Sequence, residues 1–123
     1  MKIAITTSGK DLDAPVDPRF GRARSFIIYE TDSSEWSVLD NTQNVNAAQG
    51  AGVQAGTAVV NAGVAAVLTG NCGPRAFSIL SAGKVAIYTG VSGTVREAIE
   101  QFRAGQVRAA SGASVGSHYG AGL

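Results

Sequence analysis

A layered α/β/α domain built on a partly parallel sheet is the fold this sequence predicts, and three observations predict it. VAAVLTG at residues 64–70 and KVAIYTG at 84–90 are nearly continuous apolar runs, the pattern of strands covered on both faces. These runs alternate with helical patterns at 51–63, 74–83 and 94–105, as a sheet flanked by helices requires. The first third of the chain carries only strand patterns, so a hairpin supplies a mixed edge. The order β-β-β-α-β-α-β-α gives a mixed sheet of five strands, with right-handed crossovers expected.

KIAITT (2–7) is a short strand bounded by Ser8 and Gly9. Residues 9–21 form a long connection in which Pro15 and Pro18 favour extended or turn geometry. SFIIYE (25–30) and EWSVLD (35–40) flank the turn-like DSS and pair as a hairpin. NTQNVNAAQG (41–50) is Asn-rich and reads as a loop. In the helix at 51–63, Val53, Ala58 and Val60 are expected on the apolar side, with Gly63 as a left-handed stop. Pro74 suits the first turn of the next helix, whose buried stripe is Ala76, Phe77 and Leu80 and which Gly83 closes. TVREAIEQFRAG (94–105) is the clearest helix. Thr94 and Glu97 form a capping box, and Val95, Ala98, Ile99 and Phe102 share a face. The domain is expected to span 1–107, with 108–123 a flexible Gly/Ser/Ala-rich tail.

A chain of 123 residues with 45% hydrophobic content can bury one core unaided. Its formal charge of +1 demands neither nucleic acid nor a membrane surface. A single cysteine excludes an internal disulfide. The N-terminus reads as a strand rather than a signal peptide, and no apolar run reaches membrane-spanning length, so a cytoplasmic location is expected.

Function should gather at the loops that follow the strands. TTSG, NVNAAQGAG, TGNCG and YTGVSG all contain glycine, which lets backbone N–H groups and helix N-termini face an anion; the same composition serves plain tight turns. Arg19, Arg22 and Arg24, with Arg75 after the NCG turn, offer a positive patch or ordinary solvated arginines. Cys72 stands next to a helix start, a position that lowers a thiol pKa and favours a soft metal; equally, it is a small thiol packed beside a turn. His118 is either exposed or an auxiliary ligand folded over the pocket. Asp11, Asp13 and Asp17 lack the remainder of a calcium loop, and no Walker or hydrolase signature occurs. A hydrolase would need Asp17 and Asp40 to converge with a further acid.

VDPRFGRARSFIIYE (16–30), VLTGNCGPRAFSIL (67–80) and YTGVSGTVREAIEQFRAGQ (88–106) together resemble the dinitrogenase iron–molybdenum cofactor biosynthesis family, that is, the NifX-like domain also found at the end of NifB-type proteins. The resemblance implies a ribonuclease H-like fold without nuclease carboxylates. It also implies a non-catalytic carrier or scaffold for an iron–sulfur, iron–molybdenum–sulfur or molybdenum–copper sulfide cluster, since one small relative holds such a mixed cluster largely noncovalently. It places Arg19, Phe20, Gly21 and Arg22, and Gly70, Asn71, Cys72, Gly73 and Pro74, at the site, with Thr6, Ser8 and Gly90 near the same rim. Partners would be a cluster donor or acceptor protein, with no nucleic acid and no membrane. The chain lacks a radical-SAM region and histidine-rich ends. The alternative is a metal-free regulatory or protein-interaction module.

Overall fold

The computed structural model describes residues 1–45 and 50–112. The early strands form where expected: β1 (Lys2–Thr7), β2 (Ser25–Glu30) and β3 (Trp36–Asp40). β1 pairs antiparallel with β2, Ala4 opposite Ile28, and β2 pairs antiparallel with β3, Ile27 opposite Val38. The two apolar runs become β4 (Ala66–Leu68) and β5 (Ala86–Thr89), shorter than the runs themselves. β4 lies parallel to β1 and β5 parallel to β4.

The sheet has six strands in the order β3-β2-β1-β4-β5-β6, not five. The additional strand, β6 (Arg108–Ala109), falls in the segment expected to be tail and pairs antiparallel with Tyr88 and Thr89. Two residues carry no periodicity, so only the free edge of β5 reveals it.

Helices α2 (Ala51–Asn61) and α3 (Pro74–Ala82) cover one face, and α4 (Val95–Arg103) the other. A short helix α1 (Thr42–Val45) occupies part of the expected Asn-rich loop. Asp40 Oδ1 accepts the Thr42 N–H at 2.9 Å and caps it from the end of β3. That bond also holds the Asp40 carboxyl below its ordinary range.

The α2 face differs from expectation. Ala51, Ala55, Gly56 and Val59 are buried, whereas Val53, Ala58 and Val60 are only partly covered or lie at the margin. Close helix packing decides this. A Cβ on Gly52 would stand 3.3 Å from Ala76 Cβ, and one on Gly56 3.1 Å from Ile79 Cγ2. The small-residue side therefore meets α3, and bulk there would push the helices apart. α3 buries Ala76 and Leu80, and α4 buries Val95, Ala98 and Ile99, as their patterns indicate. Gly63 ends the α2 region with φ 78, a left-handed conformation that glycine adopts without a Cβ clash.

Candidate functional site

Because β1, β4 and β5 are parallel, their C-terminal ends share one edge of the sheet, where β2 also begins. The connections 8–24, 69–73 and 90–94 leave from this edge. Two of them pair directly. The Asn71 N–H donates to Pro18 O at 2.7 Å, and the Phe20 N–H donates to Asn71 O at 3.2 Å, forming a short parallel bridge. Gly70 permits this approach: a Cβ there would lie 2.6 Å from Pro18 Cα. The third loop joins through the Gly90 N–H, which donates to Gly70 O at 2.8 Å. On its other side the FGRA turn meets α2, where a Cβ on Gly21 would stand 2.9 Å from the Gly52 N. FGRA, GNCG and the first turns of α2 and α3 therefore occupy one neighbourhood.

Side chains beneath the rim hold the loops in place. Thr6 Oγ1 donates to Asp17 O at 2.7 Å and meets Thr69 Oγ1 at 3.0 Å, both fully buried. Asp17 Oδ1 accepts the Arg19 N–H at 2.8 Å. Asn41 Nδ2 donates to Ala23 O at 2.7 Å and Gly21 O at 3.3 Å, and its Oδ1 accepts from Asn44 Nδ2 at 2.8 Å. Sequence reasoning did not single out Asn41, Asn44 or Thr69. As small polar residues in loops or a one-turn helix they carry no distinguishing pattern, and only burial sets them apart. Thr6 was expected near the rim and instead lies under it.

The expected binding residues separate into two groups. Phe20 and Cys72 are buried in the core with Ala76, and Phe20 packs on Phe26 with ring centroids 5.3 Å apart. Arg19, Asn71, Pro74 and Arg75 are exposed, with Arg22 and Gly73 half-buried. Ser8 and Gly90 are exposed as well. Arg19 Nε stands 3.4 Å from Asp17 Oδ1, a loose pair that leaves the arginine largely open to solvent.

Of the two readings of Cys72, burial in the core favours the small packed thiol. Burial pushes the Cys72 thiol up to about 11, outweighing any benefit from the start of α3. Among the described residues no group of three or more His, Cys, Asp or Glu could hold a metal ion, and this set includes Asp17 and Asp40. His118 lies outside the described residues. What the site offers is hydrogen-bond donors and positive charge. α2 and α3 start at Gly50 and Gly73 with no side-chain cap, so the amides left over by each first turn face the loop cluster end of the helices. Two surface hollows lie elsewhere. One of about 370 Å³ is lined by residues including Ile28, Trp36 and Ser37, and one of about 190 Å³ by residues including Tyr29, Arg96 and Arg103.

Residues 1–105 match the family described as dinitrogenase iron-molybdenum cofactor. The structure is similar to the apo form of the orange protein from Desulfovibrio gigas, at TM-score 0.89 and 36% identity, covering 91% of this chain and 94% of that one. It is also similar to a Thermotoga protein provisionally described as NifB, at TM-score 0.78 and 39% identity, covering 88% and 91% of the two chains. An uncharacterized Methanocaldococcus jannaschii protein, MJ0580, is 29% identical over 110 residues, 87% of this chain and 89% of its own.

Proposed function

The chain belongs to the dinitrogenase iron–molybdenum cofactor family, and from that premise we propose that it is a non-catalytic carrier or scaffold for a preassembled anionic metal–sulfur cluster. The observation that carries the reading is the direct pairing of the Pro18–Phe20 and Gly70–Asn71 backbones, which joins an arginine-bearing loop to the start of α3. Cargo of this kind presents sulfide or oxo atoms on its outside. Those atoms accept hydrogen bonds from guanidinium and amide N–H groups, and charge-assisted bonds of this type are among the stronger ones. Arg19 and Arg22 supply the charge, Asn71 and the first amides of α2 and α3 the directional donors.

The donor set fits cargo held through its outer atoms rather than metal ligation by the chain. The single cysteine is a buried, neutral thiol, and thiolate is the form that ligates metal. Cys72 then acts as the small floor of the site, packed behind the turn that Asn71 and Gly73 form. The same premise favours a ribonuclease H-like scaffold lacking nuclease carboxylates; the antiparallel β3-β2-β1 start followed by parallel β4 and β5 supports it.

The test is anaerobic reconstitution with tetrathiomolybdate plus copper and, separately, with iron plus sulfide, followed by metal analysis and visible absorption. Stoichiometric uptake of one cargo is expected, weakened in Arg22→Ala and retained in Cys72→Ser. Absence of uptake from every mixture would overturn the carrier reading and leave the metal-free regulatory module. Equal uptake by wild type and an Arg19→Ala/Arg22→Ala variant would remove the arginine loop from the site.

A further inference from the structure

The two edges of the sheet are built differently. β6 is a two-residue strand that begins with a charge at Arg108, and short, charged edges resist pairing with other chains. β3 is five residues long, with no lysine, proline or bulge, and no strand lies beyond it among the described residues. It carries Trp36 and Val38, 42% and 39% exposed, the only large apolar residues besides Met1 exposed to this degree among the described residues.

Backbone parity makes this edge specific. The Glu30 N–H donates to Glu35 O at 2.8 Å and the Asn41 N–H to Arg24 O at 2.9 Å. Both bonds belong to the register that sets Ile28 opposite Ser37 and Phe26 opposite Leu39. Hydrogen-bonded pairs alternate along an antiparallel ladder. Glu35, Ser37, Leu39 and Asn41 therefore turn their N–H and C=O groups toward β2. Trp36, Val38 and Asp40 turn theirs outward, away from the sheet.

We infer that β3 pairs antiparallel with β3 of a second copy of this chain, about a two-fold axis at Val38. Only outward-facing residues are then matched: Val38 with the partner's Val38, and Trp36 with the partner's Asp40. Each pair exchanges N–H and C=O bonds without disturbing the bonds to β2. The register is also compatible in charge. Asp40 meets Trp36, Glu35 meets Asn41, and no like charges stand opposite each other, which would destabilise a cross-strand pair. On the face shared with Tyr29 and Ile27, the pairing covers Trp36 and Val38. On the other face it sets the partner's Leu39 beside Ser37, at the margin of the 370 Å³ hollow that Ile28 and Ser37 line. An isologous contact of this kind closes on itself as a dimer and does not propagate.

The pairing does not depend on any cargo, so metal-free protein tests it. One short strand pair buries less than a standard interface. Sedimentation velocity should therefore run from about 10 µM to about 1 mM, the range a small interface requires. The mass should double across that range. Trp36 emission should change with the same midpoint, since the indole gains the partner's strand as a neighbour. Val38→Pro removes an N–H that the protomer's own sheet does not use, and Val38→Lys places a charge at the two-fold axis. Both should stay monomeric through the range with an unchanged far-ultraviolet spectrum. If Val38→Pro fails to fold, Val38→Lys decides. A wild-type protein that is monomeric at the highest concentration refutes the pairing. So does a Val38→Lys variant that dimerises with the wild-type midpoint.

Discussion

Helix α4 begins with its first amides already satisfied, whereas α2 and α3 begin without a side-chain cap. The Val95 and Arg96 N–H groups donate to Ala14 O at 2.9 Å and Leu12 O at 2.8 Å. The Glu97 N–H donates to Thr94 Oγ1, and Glu97 Oε1 accepts the Thr94 N–H at 2.8 Å, completing the capping box. α2 opens from Gly50 at φ 77, and α3 from Gly73 with Pro74 in its first turn; neither receives a side-chain cap. The contrast coincides with the proposed site. The capped helix covers the face of the sheet opposite α2 and α3. The two uncapped helices start beside the arginine loop, where caps would compete with a ligand for the same donors.

The largest expected effect comes from closing the approach between the loops. Gly70→Ala sets a methyl against the Pro18 backbone, which cannot yield as a flexible side chain would. It should cost about 1–3 kcal/mol in urea unfolding and abolish cargo uptake. An unchanged unfolding midpoint would mean that the two loops have slack, and the uncapped helix ends would then not be held to a common target. Next is Arg19→Ala/Arg22→Ala. It should weaken uptake about tenfold or more, roughly 1.4 kcal/mol, measured by titration against metal content. Thr94→Ala probes the opposite helix. Losing the cap should lower stability by about 1 kcal/mol and leave uptake intact. A matching loss of uptake would break the division between the two kinds of helix start.

A change of pH sharpens the role of Cys72. Its folded thiol is raised from an ordinary 9.0 to about 11 by burial, so above pH 9 the unfolded chain releases this proton more readily than the native state. The associated stability is fully present below pH 9 and is lost as pH rises through about 11. Cys72→Ala should remove that alkaline component when its unfolding curves are compared with wild type between these limits. Alkylation of the native thiol at neutral pH should be correspondingly slow. Fast alkylation at pH 7 would restore Cys72 as a candidate ligand.

Strand and helix positions were largely legible because their causes are local. The apolar run in SFIIYE, the Thr94–Glu97 pair and the Pro74 helix start each act within a few residues. Two features were hidden for opposite reasons. α2 was read from its valines, and Val60 does pack against the core, but the close approach to α3 sets Gly52 and Gly56 at the contact, which an apolar pattern does not weight. β6 was missed because two exposed residues become a strand only where β5 offers an edge. Within the candidate site, the arginines and glycines were named from the sequence, but the buried polar set of Asn41, Asn44 and Thr69 was not. An asparagine that holds two carbonyls of a distant turn has the same local sequence as one facing water.

Taken alone, the amino-acid order determined the alternating elements, the capped helix and the glycine-rich turns that follow the strands, since each depends on near neighbours and on backbone sterics. Tertiary structure decided that Arg19 pairs its backbone with Asn71, that Cys72 is part of the core rather than the rim, and that Val38 faces outward from an open edge. Those outcomes are set by which distant segments pack together, and burial and register arise only once they do.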